Sequence, residues 1–151
     1  MSNTSKNHEN KLLFWGLLLF FFGLLAGLGM PLYTNTRMGL SAHLEGVMNG
    51  IFLVVLGLIW KKIRISKKSL SLLYVLSLYG GFANFTAVMI GAITGGGQLM
   101  PIANGQDKGN VIEGMISFLL ITLTLAMLAV CILTLAGLYN NMKGTFTAER
   151  A

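Results

Sequence analysis

From Leu12 to Met30 no charged residue interrupts the chain, and three further stretches are nearly as free of charge. This feature limits the fold more than any other. Crossing the hydrocarbon core of a bilayer as a helix takes about 20 residues at a rise of about 1.5 Å each. The second stretch, Leu40–Trp60, is apolar except for His43, Glu45 and Asn49 near its start. The third runs from Ser69 to Thr94. The fourth, Val111–Leu138, carries one charge, Glu113, and is longer than a span requires, which implies tilt or a start outside the core. Only 11% of the residues are charged and the mean hydropathy is +0.72, whereas soluble domains carry about 25% charged residues. Lipid exposure of a sheet edge is not tolerated, and no alternating ten-residue segments of a barrel are present. The first apolar run exceeds the core of a signal peptide, about 7–15 residues, and no small-residue cleavage pattern precedes Pro31, so it reads as a retained helix. The expected fold is an all-α membrane protein, a single four-transmembrane-helix bundle over residues 1–151 with spans at 12–30, 40–60, 69–94 and 111–138.

The net charge of +6 does not point to nucleic acid, because of where the charge lies. Lys61, Lys62, Arg64, Lys67 and Lys68 crowd the link between the second and third spans, and basic residues beside spans stay in the cytoplasm. Lys6, Lys11, Lys143 and Arg150 then fall on the same side, leaving Arg37 and Lys108 outside. The predicted localisation is the inner (cytoplasmic) membrane, multi-pass, with both termini cytoplasmic and the lipid bilayer as a partner. Cys131, alone and deep in the fourth span, forms no internal disulfide and is expected to pack.

Two hairpins of the same sense are suggested. Met30-Pro31 and Glu45-Gly46 flank the first out-and-back connection, and Met100-Pro101 and Glu113-Gly114 flank the second. Gly23 and Gly27, Gly46 and Gly50, and the stripe Gly80, Ala83, Ala87, Gly91 allow close helix approach in lipid.

The polar residues of the second span need the most explanation, since ionisable groups within a membrane are costly. Asn49 lies about 9 Å deeper than His43 at helical rise. At 100° per residue, His43 shares a side with Gly46, Gly50 and Gly57, while Glu45 and Asn49 point elsewhere. Two polar faces favour one contact with the bundle and another with a neighbouring subunit. On periodicity alone, a histidine bonded to a backbone carbonyl is favoured over a ligand. Glu45 and Glu113 read equally as paired or neutral carboxyl groups bracing the hairpin ends, and Asn49 as an interhelical hydrogen bond. No phosphate loop, dinucleotide fingerprint or paired cysteines appear, and Gly95-Gly96-Gly97 reads as a turn.

The run Asn35-Thr36-Arg37-Met38-Gly39-Leu40-Ser41-Ala42-His43-Leu44-Glu45-Gly46-Val47-Met48-Asn49-Gly50 resembles a segment of the hydroxylaminobenzene mutases, small four-span bacterial membrane enzymes. Tyr79-Gly80-Gly81-Phe82-Ala83-Asn84 and Met100-Pro101-Ile102-Ala103 also look like that family. Thr36 departs from the proline of the pattern. The resemblance implies isomerisation of an aryl hydroxylamine, a small aromatic substrate, to an aminophenol, the ortho isomer above all, with no nicotinamide or flavin. More distantly the architecture resembles styrene-oxide isomerase, a four-span trimer with haem b between subunits. That likeness implies a homo-oligomer, His43 as axial ligand of the haem iron, Asn49 as a pocket residue, and Tyr79 as the third-span tyrosine, with Tyr74 the alternative. A ferric haem would act as Lewis acid for the departing oxygen; without metal, a neutral carboxyl at Glu45 or Glu113 would protonate it. The competing classes are a proton-coupled transporter and a non-catalytic haem-binding membrane protein, both separated from a mutase by product chemistry.

Overall fold

The computed structural model describes residues 3–144, and Arg150 lies outside them. Four helices follow in order: α1 Asn3–Leu28, α2 Thr36–Ile59, α3 Lys67–Thr94 and α4 Asn110–Met142. Short 3-10 turns occupy Met30–Leu32, Trp60–Lys62 and Pro101–Ala103. The shortest helix has 24 residues, about 36 Å of rise, which exceeds a hydrocarbon core of about 30 Å. Each helix contains a stretch long and apolar enough to cross a membrane.

Local chemistry sets the ends. Pro31 lacks an N–H and disfavours helix in the residue before it, so α1 stops at Leu28, two residues short of the expected boundary. Helix α2 starts at Thr36, earlier than the apolar run begins, because the Asn35 side chain accepts a bond from Met38 N and caps it. Thr36 is then the first helical residue, a position that also tolerates proline. Ser66 caps α3 through Ser69 N, and Gly95 ends it in the left-handed region at φ 79°.

Helices α1 and α2 touch through backbone. A Cβ added at Gly23 would lie 2.6 Å from Val47 N, and one at Gly50 would lie 2.6 Å from Phe20 N. Only glycine allows that approach, and dispersion between close backbones replaces the hydrophobic force that lipid cannot supply. Helix α3 packs on α2 and also meets α1, while α4 packs on α3 and on the 60–62 turn. Among the described residues α4 makes no close backbone approach to α1 or α2, so the space between α2 and α4 stays open near the loop that joins α3 to α4. One core cluster, with Leu19, Leu53, Trp60 and Leu73, fills the half nearer the basic link. A smaller one, with Met38, Ala42, Val88 and Ala92, fills the half nearer the 95–109 loop.

The outward faces are apolar: Leu44, Met48 and Val55 on α2, and Phe118, Leu125, Ile132 and Leu135 on α4 are all exposed. A soluble helix would turn such residues inward; lipid is their solvent here. Cys131 is exposed on α4 and faces outward, which corrects the packing role expected for it.

The two ends differ in character. At one end Lys61 pairs with Glu9 at 3.0 Å, Asn140 Nδ2 donates to Arg64 O at 3.1 Å, and His8 stacks on Tyr74 with ring centroids 4.3 Å apart. At the other, two side chains fasten the 95–109 loop. Asn35 Nδ2 donates to Ala103 O and Asn104 O at 2.9 and 3.0 Å. Glu113 accepts from the backbone N–H groups of Gly97, Gln98 and Lys108 at 2.8, 2.9 and 3.4 Å.

Candidate functional site

Helix α2 carries three faces. Gly46 and Gly50 face α1, Leu44 and Met48 face outward, and Glu45 and Asn49 face α3. His43 lies on the α1 side, where its Nδ1 bonds to Gly23 O at 2.8 Å. A carbonyl only accepts, so Nδ1 carries the proton. In the neutral ring Nε2 therefore holds the lone pair, the arrangement in which a histidine binds a metal through one nitrogen and is oriented through the other. Gly27 makes room for the ring, since a Cβ there would come within 2.7 Å of Nδ1. The carbonyl bond favoured by periodicity is present. Nε2 is the atom through which His43 would hold a metal.

Across α2, a carboxyl group is held by two amides. Asn49 Nδ2 and Asn84 Nδ2 both donate to Glu45 Oε2, at 3.1 and 2.5 Å. Among the described residues Glu45 Oε1 has no hydrogen-bond partner, and it is not sealed from the surface. One oxygen is therefore fixed and solvated by the protein, and the other is left for a ligand.

Glu45 and Asn84 line a cavity of about 470 Å³, which lies in the gap between α2 and α4. Val88, Leu120 and the Leu99–Ala103 segment make it mostly apolar, and Arg37 and Ser41 continue its polar side along α2. Arg37, Ser41 and Glu45 recur every four residues and so form one stripe down the helix. A cavity of this size with a few convergent polar groups suits a small aromatic ligand.

The sequence-predicted residues do not all meet here. Glu45 and Asn49 are hydrogen-bonded to each other, but His43 points to the α1 side of the same helix. Tyr79 bonds through its hydroxyl to Thr122 on α4, at 2.5 Å, away from the cavity lining. Tyr74 lies at the opposite end, against His8. Glu113 is committed to the loop backbone and lines neither Glu45's cavity nor the amide pair. Asn84 is the residue that the sequence alone did not single out. It sits in the Tyr79–Asn84 run, yet only the packing of α3 on α2 shows that it reaches Glu45.

A family model described as styrene oxide isomerase matches residues 8–139, a stretch that takes in α2 and α3 whole and most of α1 and α4. The chain belongs to the styrene oxide isomerase family. Within it, the chain is similar to "Hydroxylaminobenzene mutase HabB" of Ectopseudomonas oleovorans, 45% identical over 130 residues that cover 85% of this chain and 79% of the relative. It is also similar to "Hydroxylaminobenzene mutase HabA" of the same organism, 38% identical over 125 residues, or 82% of this chain and 93% of that one. No solved structure matches the chain significantly. Membership of the styrene oxide isomerase family covers the Glu45–Asn49–Asn84 cluster, His43 and the cavity together.

Proposed function

We propose that the chain is a membrane-embedded isomerase that converts hydroxylaminobenzene-type aryl hydroxylamines to aminophenols by intramolecular transfer of the hydroxyl group. The relatives' names supply the reaction, and one observation carries the mechanism: Glu45 offers a free oxygen to an apolar cavity while two amides hold its other oxygen. Neutral Glu45 donates its proton to the substrate hydroxyl; the N–O bond breaks, its electron pair leaves with the oxygen as water, and the positive charge spreads over nitrogen and ring. The two amide donors stabilise the carboxylate formed in that step. The released water adds to the ring carbon and returns a proton to Glu45, and the ring hydrogen moves to nitrogen as aromaticity is restored. Atoms and protons balance without an oxidant or reductant. The apolar walls of Val88 and Leu120 limit the water beside the cation before its own oxygen returns.

A haem held by His43 Nε2 would supply a Lewis-acidic iron for the departing oxygen. By resemblance the assembly is a homo-oligomer, a trimer; within one chain His43 bonds to α1 and Glu45 to α3, so the two polar faces of α2 are met without a second copy. The basic residues at one end support a cytoplasmic orientation of both termini in the inner membrane.

The test is conversion of hydroxylaminobenzene by membranes carrying the chain, run in heavy-oxygen water with the product read by mass spectrometry. The expected product is an aminophenol, the ortho isomer above all, retaining the substrate's oxygen. Full incorporation of solvent oxygen refutes the caged transfer, and no conversion by folded protein refutes the assignment.

A further inference from the structure

The cavity has a charged end that a neutral single-ring substrate leaves unused. Arg37 lines it at the level of the 95–109 loop, and among the described residues its side chain makes no hydrogen bond or ion pair. Arg37 also borders a second, polar cavity of about 260 Å³, whose lining includes Lys108. Arg37 and Lys108 are the basic residues at this end of the molecule. Two acids stand at the same end without lining either cavity: Glu113, which accepts from three backbone N–H groups, and Asp107, which accepts from Gly109 N. The first turn of α2 adds its positive end at the same place. Arg37 is the cationic side chain of the cavity lining, and a carboxylate is the group that a guanidinium binds through two parallel hydrogen bonds.

Resting on the isomerase reading, we propose that the cavity takes aryl hydroxylamines bearing a carboxylate on the ring, and that Arg37 selects them. The hydroxylamine end lies at Glu45 Oε1 and the carboxylate at Arg37. These two residues are eight apart on one helix, about 12 Å of rise, and both line the cavity together with Leu99, Pro101 and Leu120. A charged substrate does not cross hydrocarbon to reach a buried site. It needs access from the membrane surface, and the Leu99–Ala103 part of the loop between α3 and α4 lines the cavity.

The experiment compares hydroxylaminobenzene with 4-hydroxylaminobenzoate on the full-length protein in membranes, and measures 4-aminobenzoate binding to detergent-purified protein. Wild type is expected to turn over both substrates and to bind 4-aminobenzoate in a salt-sensitive manner. Arg37→Gln is expected to lower the ratio of kcat/KM for the acid to that for the neutral substrate at least tenfold, through KM, and to weaken 4-aminobenzoate by a similar factor. Arg37→Lys should retain part of both, since charge is kept and the bidentate fork is lost. Turnover of the neutral substrate without the acid overturns the inference and leaves the isomerase reading standing. An equal loss for both substrates in Arg37→Gln assigns Arg37 to anchoring the helix at the interface and also overturns it. Turnover of neither by wild type defeats the isomerase reading, and the inference with it.

Discussion

Glu45 and His43 are two residues apart, yet α2 turns them to different neighbours, and each has its own test. Replacing Glu45 by Gln keeps the size and removes the proposed proton donor, so turnover should fall by about 10²–10⁴ with little change in the folded fraction. Asn84→Ala removes one donor to the shared oxygen; a hydrogen bond to a charged group contributes about 1.5–3 kcal/mol, which sets a loss of roughly 10- to 100-fold. In the Glu45→Gln background the same Asn84 change should have almost no further effect, because Asn84 acts through that carboxylate. Independent losses in the double variant would show that Asn84 does something else. On the other face, Gly27→Ala puts a methyl against the His43 ring. The Soret band of the purified protein should weaken or shift in that variant, as in His43→Ala, and an unchanged haem spectrum in both would remove His43 as ligand.

At the scale of helices and loops, the α1–α2 contact and the Glu113 clamp hold the site's walls. Gly23→Leu forces apart backbones that now touch, and overpacking of this kind costs about 1–3 kcal/mol or more. Lower thermal stability in detergent, measured alongside the much milder Gly114→Ala, is the expected result; nothing lies within 4 Å of a Cβ at Gly114. Glu113 accepts three N–H groups from one loop, so Glu113→Ala should speed amide exchange at Gly97 and Gln98 relative to the rest of the chain. Exchange confined to other segments would show that the clamp does not govern the loop. Tyr79, with its hydroxyl on Thr122, belongs to the α3–α4 contact, and Tyr79→Phe should affect stability before turnover.

For the whole molecule, orientation decides which water the cavity faces. Reporter fusions after Ser66 and after Lys143 should read cytoplasmic, and fusions near Asn35 and Gly105 should read external. Finding the 61–68 link outside would move Arg37 and the loop end of the cavity to the cytoplasmic leaflet and reverse the side from which a charged substrate arrives. The outward apolar faces of α2 and α4 meet lipid or a second chain, and cross-linking of the purified protein at Cys131, exposed on α4, reports whether two copies bring that helix together.

Four spans, the charge asymmetry between the two ends and the small-residue faces were legible in one dimension, because length, hydropathy and a 3.6-residue period are local properties. The separation of His43 from Glu45 and Asn49 was legible for the same reason, since all three lie on one helix. Which neighbour each face meets was not. That Asn84 reaches Glu45 across 39 positions, that Glu113 serves a loop while its counterpart Glu45 lines a cavity, and that Tyr79 turns to α4 all depend on how α3 packs on α2 and how α4 stands away from it. Such contacts are set by the fit of helix surfaces summed over many weak interactions, and no single stretch of sequence contains that sum.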